Sequence, residues 1–206
     1  MKKIILLITI LFISVISTAC INNLAVQELN NKAKEYMEKG ETEKAISRLR
    51  SSIDLDTSIF ETHYNLGVAL IQAKDYEEAV NALKNATNLK PDFADSYYSL
   101  AIAYEGLADG IINDDNDILI SDENPAVEKQ SNLSESDKIK VVELLNSAIY
   151  NYNQYLVKKP EAKDKAKVED QINYINKQIS DYNSLKNSTE LNSENISTSS
   201  KEDIDD

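Results

Sequence analysis

Cysteine occurs once in the 206 residues, at Cys20, so the chain can close no disulfide within itself and can build no cysteine-based zinc site. Its stability must come from packing. Glycine and proline are almost as scarce, four and three residues respectively, far too few for the closely spaced turns of an all-β sandwich. Helix is the expected state. Basic side chains are outnumbered, leaving a net charge of −13, and a surface so acidic repels the phosphate backbone of nucleic acid. No Gly-rich phosphate loop and no Gly-x-Ser-x-Gly elbow occurs. The only histidine, His63, has no second strong ligand or nucleophile spaced around it, which leaves no basis for a catalytic or metal centre. No enzyme activity, cofactor, metal or small-molecule substrate is expected. The length fits one modest core with extensions.

Outside the first twenty residues there is no long apolar run. Within them, Met1-Lys2-Lys3 precedes an apolar stretch from Ile4 to Ile16 broken only by Thr9 and Ser14, the pattern of a secretory signal. The stretch is shorter than the roughly 20 residues a membrane-spanning helix needs. It ends on Ser17-Thr18-Ala19, small residues suited to cleavage, giving an expected signal peptide over 1–19. Ser17-Thr18-Ala19-Cys20 is similar to the lipobox of bacterial lipoproteins, although Ser17 stands where an aliphatic residue is usual. That resemblance implies lipidation of Cys20, residues 20–24 as a linker, and a membrane-anchored protein of the cell envelope. Plain cleavage after Ala19 implies instead a soluble periplasmic or extracellular protein.

The mature part repeats with a period of 34. Small residues recur at Ala33, Gly67 and Ala101, larger ones at Tyr36, Leu70 and Tyr104, and a third set at Leu29, His63 and Tyr97. Downstream, Ala45 and Ala79, Leu49 and Leu83, Ser52 and Ala86, and Leu55 and Leu89 keep the same interval. A fixed period of this length marks stacked supersecondary units. Leu66, Leu70, Leu83 and Leu89 recur at near-helical spacing and predict apolar stripes. Gly67 and Ala79 predict close approach of two helices, Asp75 a helix cap, and Gly40-Glu41 an inter-helix turn. His63 takes the packing slot that Leu29 and Tyr97 fill in the neighbouring units.

The clearest unit runs Tyr64-Asn-Leu-Gly67, Asp75-Tyr-Glu-Glu-Ala79, Ala86 and Leu89-Lys-Pro91, and it resembles the tetratricopeptide repeat. The resemblance implies an all-α, right-handed solenoid of about three helix pairs. Units one, two and the first helix of three fall in 25–108, with Lys32 an anomaly where Leu66 and Leu100 occur. The third unit then breaks. Its second helix resumes around Ala148 and spans 138–160, so residues 109–137, rich in Asp, Asn and Ser, form an acidic loop inserted in the third pair. Inside the loop, Asn113 to Asp117 with Asp122 and Glu123 lacks the spacing of a calcium loop and fits a solvated acidic segment. Ile118 to Ile120 is the apolar exception, expected to dock on the protein itself. Val168, Ile172, Ile175, Ile179 and Tyr182 line one face of a capping helix over 161–186, and the polar segment 187–206 is expected to be disordered.

In the tetratricopeptide family, protein partners bind in a concave groove lined by the first helix of each pair. On this sequence the resemblance implies groove positions Asn30, Lys34 and Met37, then Tyr64, Asn65, Val68 and Ile71, then Tyr98, Ser99, Ile102 and Glu105. Some relatives clamp a carboxylate there. Asn65 matches one clamp position, but Asp95 and Ser99 stand where bases are required. The implied function is an envelope-associated adaptor that binds an apolar or aromatic peptide or an amphipathic helix in this groove. The alternative is a structural subunit of a secretion, pilus or outer-membrane assembly that uses its convex face or the 109–137 loop.

Overall fold

A computed structural model of the chain describes the backbone of residues 23–114 and 133–199, and side chains within them through 113 and from 133 to 184. The signal segment, Cys20 and Ile118 to Ile120 lie outside the described residues. Among these, there are seven helices and no strand: α1 (23–38), α2 (Thr42–Leu55), α3 (Phe60–Gln72), α4 (Tyr76–Leu89), α5 (Ala94–Asp114), α6 (Glu135–Lys158) and α7 (Lys165–Ser199). This is the all-α helix-pair architecture that the 34-residue period predicts. The chain divides into two compact units, Met1–Ala103 and Tyr104–Asp206, with α5 running from one into the other.

In the first unit α3 packs against both α2 and α4. The seam between α3 and α4 is set by Gly67. A Cβ there would fall 2.4 Å from Leu83 Cγ and 2.8 Å from its Cδ2, closer than carbon atoms can approach, so only a hydrogen fits. Leu83, Leu70, Ala79 and Ala86 are fully or almost fully buried along this seam. Leu89, predicted as part of the stripes, and its repeat counterpart Leu55 are 43% and 42% exposed. Each ends its helix and sits about a quarter-turn off the stripe's midline, which puts it at the edge of the contact.

The turns repeat along with the helices. After α1 the chain turns on Gly40 at φ 72°, with Gly40 N–H donating to Met37 O at 3.1 Å and Glu41 N–H to Tyr36 O at 2.9 Å. One period later, Lys74 N–H donates to Ile71 O at 3.0 Å and Asp75 N–H to Leu70 O at 2.9 Å. These are the same left-handed helix stop, satisfying otherwise unpaired carbonyls. The second carries a lysine at φ 62°, where a Cβ is unfavourable. Asp75 then caps α4 by accepting from Glu78 N–H at 3.2 Å, whereas Glu41 makes no such side-chain cap to α2. His63 is buried, and its Nε2–H donates to Thr57 O at 2.9 Å, so it packs and fastens the loop before α3.

In the second unit α6 packs against α7, burying Val141, Leu145, Ala148, Tyr152 and Tyr155 from one and Val168, Ile175 and Tyr182 from the other. Four predicted boundaries shift. α5 runs on to Asp114, six residues into the stretch read as loop, because Ala108 is buried and continues the helix's apolar face. α6 starts at Glu135 rather than 138, because Ser134 Oγ accepts from Asp137 N–H at 3.1 Å and caps it. Residues 161–164 form a turn instead of helix. Pro160 excludes helical geometry at Lys159, and Tyr155 Oη donates to Asp164 Oδ1 at 2.7 Å to hold the chain until Lys165. The helix backbone of α7 also continues to Ser199, into the tail expected to be disordered; that stretch contains no Gly or Pro to stop it.

Two substitutions test this account by urea unfolding. Gly67→Ala is expected to destabilise the chain by about 1–3 kcal/mol through overpacking against Leu83. Lys74→Gly is expected to stabilise it by about 0.5–1 kcal/mol by relieving the left-handed lysine.

Candidate protein-binding cleft

α1 and α3, the first helices of the first two pairs, line an open cleft of about 510 Å³. Its walls are Asn23, Val26, Gln27, Asn30, Asn31, Lys34, Ile59, Glu61 and Asn65. The α1 wall follows from spacing: positions 23, 27, 30, 31 and 34 fall on one face of a helix with 3.6 residues per turn. Five of the nine lining residues carry carboxamides, each offering both donor and acceptor. Lys34 and Glu61 supply one charge of each sign.

A hydrogen-bond network under the cleft fixes its shape. Asn30 Nδ2 lies 2.8 Å from Thr62 Oγ1, 2.9 Å from Ser52 Oγ and 3.0 Å from Val26 O, so one amide links α1 to α2 and α3. Ser52 and Thr62 are fully buried and 3.3 Å apart. Asn65 Nδ2 donates to Asn30 Oδ1 at 3.4 Å, and Gln27 Nε2 to Asn23 Oδ1 at 3.0 Å. Buried hydroxyls without partners are costly, so this polar set is held in one arrangement.

Of the eleven groove positions implied by the sequence, the structure brings Asn30, Lys34 and Asn65 together in the cleft. Met37, Val68, Ile71, Tyr98 and Ile102 are half-buried and do not line it. Tyr64 is also half-buried, packed edge-on against Phe93 with ring centroids 5.0 Å apart. Phe93 meets Phe60 in the same way at 5.2 Å, and Lys90 Nζ lies 4.1 Å from the Phe60 centroid, a cation–π contact. Ser99 is buried, 7% exposed, and does not line the cleft.

Glu105 requires a correction. It belongs to the second unit, where Gln171 Nε2 donates to its Oε2 at 2.7 Å and Tyr152 also hydrogen-bonds to it. Its Oε1 is buried without a partner. Burial pushes its carboxyl above the ordinary 4.5; the bonds from Tyr152 and Gln171 pull it back, and nearby Asp109 adds to the rise. Burial likewise raises Asp109 and Tyr182. The residue continues the spacing of the groove positions along α5, but the neighbours that α6 and α7 place on it are invisible in that spacing.

Sequence reasoning missed Asn23, Gln27, Asn31 and Glu61 as cleft residues. The polar 23, 27, 31, 34 stripe on α1 was the available signal. No group of three or more His, Cys, Asp or Glu among the described residues could hold a metal ion, and none of their helices is long and apolar enough to cross a membrane. The acidic stretch read against calcium binding lies largely outside the described residues.

Models of repeat families match here: one described as tetratricopeptide repeat over residues 30–84, another as TPR repeat over 67–107. No curated protein matches the sequence. Among solved structures, the chain is similar to the first TPR of Spaghetti (RPAP3) bound to the HSP90 peptide SRMEEVD, with a TM-score of 0.55 and 15% identity over 76% of this chain and 94% of that one. It is similar to the TPR2B domain of yeast Sti1 in complex with pHsp70, with a TM-score of 0.51 and 14% identity over 75% and 98%. MamA (RS-1 ArsTM double mutant) follows at 0.54 and 17% over 87% and 78%. At these identities the likeness is one of fold.

The raised carboxyl of Glu105 makes a signed prediction. Its neutral form favours the folded state, a contribution fully present below about pH 4.5 and lost as pH rises through the higher folded value. Glu105→Gln is therefore expected to raise the thermal unfolding midpoint at neutral pH, with the gain over wild type shrinking as pH falls toward 4.5. A gain independent of pH would assign the effect to packing instead.

Proposed function

We propose that this chain, which matches tetratricopeptide-repeat models over residues 30–107, binds an extended segment of another protein in the cleft between α1 and α3. The observation that carries this reading is the carboxamide lining. An extended main chain presents N–H and C=O groups in alternation, and Asn23, Gln27, Asn31 and Asn65 can answer either. The network beneath the cleft removes much of the ordering cost that a flexible site meets on binding. Peptide complexes of RPAP3 and Sti1 domains with this fold support the same reading. Asp95 and Ser99 in place of basic residues argue against a carboxylate end as the main determinant.

The lipobox-like Ser17 to Cys20 extends the proposal to location: lipidated Cys20 tethers the protein to a membrane of the cell envelope, where it acts as an adaptor for another envelope protein. A Cys20→Ser variant should then lose acyl label and move from the membrane to the soluble fraction; unchanged partitioning would remove the anchor from the proposal.

The binding reading is tested by crosslinking from native membranes, comparing wild type with a Lys34→Glu, Asn65→Ala variant whose circular dichroism matches wild type. A partner bound at the cleft should be captured at least tenfold less by the variant, equivalent to about 1.4 kcal/mol. Equal capture by both proteins would place the binding surface elsewhere.

A further inference from the structure

The α1–α3 cleft carries one charge on each wall, Lys34 on α1 and Glu61 on α3, and its other lining residues are uncharged. Both side chains are exposed, and among the described residues neither forms an ion pair. Several neighbours are already engaged: Lys32 and Lys39 share Glu35, and Lys44 pairs with Glu41. Glu38 follows Lys34 by one turn of α1 but does not line the cleft. Two opposite charges inside one cleft are thus left for a partner.

Where they lie along the cleft follows from the fold. The chain reverses through residues 39–41 between α1 and α2 and again through 56–59 between α2 and α3, so α1 and α3 run the same way. Asn30 sets their relative level, because it is bonded to both Thr62 and Asn65. At a rise of about 1.5 Å per residue, Lys34 lies about 6 Å beyond that level and Glu61 about 4 Å before it. The two charges are therefore offset by about 10 Å along the cleft, on opposite walls.

An extended chain advances about 3.3 Å per residue and turns successive side chains to opposite sides. Three residues cover the offset, and an odd spacing carries the second side chain to the wall facing the first. We propose that the segment bound in this cleft bears a basic and an acidic side chain three residues apart, the base on Glu61 and the acid on Lys34. The charges decide which end of the segment lies toward the start of α3, while the carboxamides between them hold its main chain. Two like charges at that spacing would set one against its own sign, and opposite charges two residues apart would face the same wall. The inference rests on the cleft as the binding site and adds the chemistry of what it selects.

Selection from a displayed library of random short peptides, with the full chain in detergent as bait, tests this. Wild type should enrich peptides with a base and an acid three residues apart, in one order. A Lys34→Glu, Glu61→Lys variant with unchanged circular dichroism should enrich the reverse order, because the main-chain contacts stay while the charges trade places. Against a peptide selected by wild type, either single reversal should weaken binding about fivefold or more at low salt, with a smaller loss at high salt as the pairs are screened. Peptides that lack the charged pair, or that keep one order with both baits, would overturn the inference; if their capture still falls on Asn65→Ala, the cleft remains the binding site. No enrichment, or capture indifferent to Asn65→Ala, would remove the cleft reading itself and this inference with it.

Discussion

The close approach of α3 to α4 at Gly67 is the constraint on which the first unit depends. With a hydrogen in place of a side chain, Leu83 drops into the space and the two helices share one buried seam with Leu70 and Ala79. The helix stop at Lys74 and the cap at Asp75 are consequences as much as causes. A hairpin this tight leaves only a short connection, and the left-handed residue followed at once by a capping aspartate satisfies the backbone groups at both helix ends. The first pair solves the same problem with Gly40 and without a side-chain cap, so the two turns share geometry while differing in chemistry.

A solenoid repeat must join each pair to the next, and here a polar link takes part. Asn30, Ser52 and Thr62 are one per helix on α1, α2 and α3, and their hydrogen bonds pin three elements at one point. Such a group is more demanding than an apolar contact, because every member must keep a partner. The same amide lines the cleft, so the group that links the three helices also shapes the cleft.

The second unit departs from the repeat. Beyond Ala103 the buried set is built from larger residues, Tyr152, Tyr155, Ile175 and Tyr182, and it encloses the carboxyl of Glu105 with one oxygen unpartnered. The raised carboxyl of Glu105 has a sign opposite to that of exposed carboxyls such as Glu35 and Asp56, whose bonds to lysines and to Ser58 hold them below their usual values.

How far the sequence could be read divides by physical cause. Helix pairing, the small residues at the seam, the turn at Gly40, the cap at Asp75 and the packing role of His63 were all legible, because each is a local rule repeated at a fixed interval of 34. Helix boundaries were less so: the Ser134 cap and the Tyr155–Asp164 bond reset the ends of α6 and α7 using partners that periodicity does not weigh. The cleft was legible only in part. The family resemblance implied Asn30, Lys34 and Asn65 as groove positions, yet it could not tell that Ser99 would be buried or that Glu105 would be enclosed by Tyr152 and Gln171. Spacing along one helix determines direction, and only the neighbouring helices decide whether that direction leads to solvent or into a core.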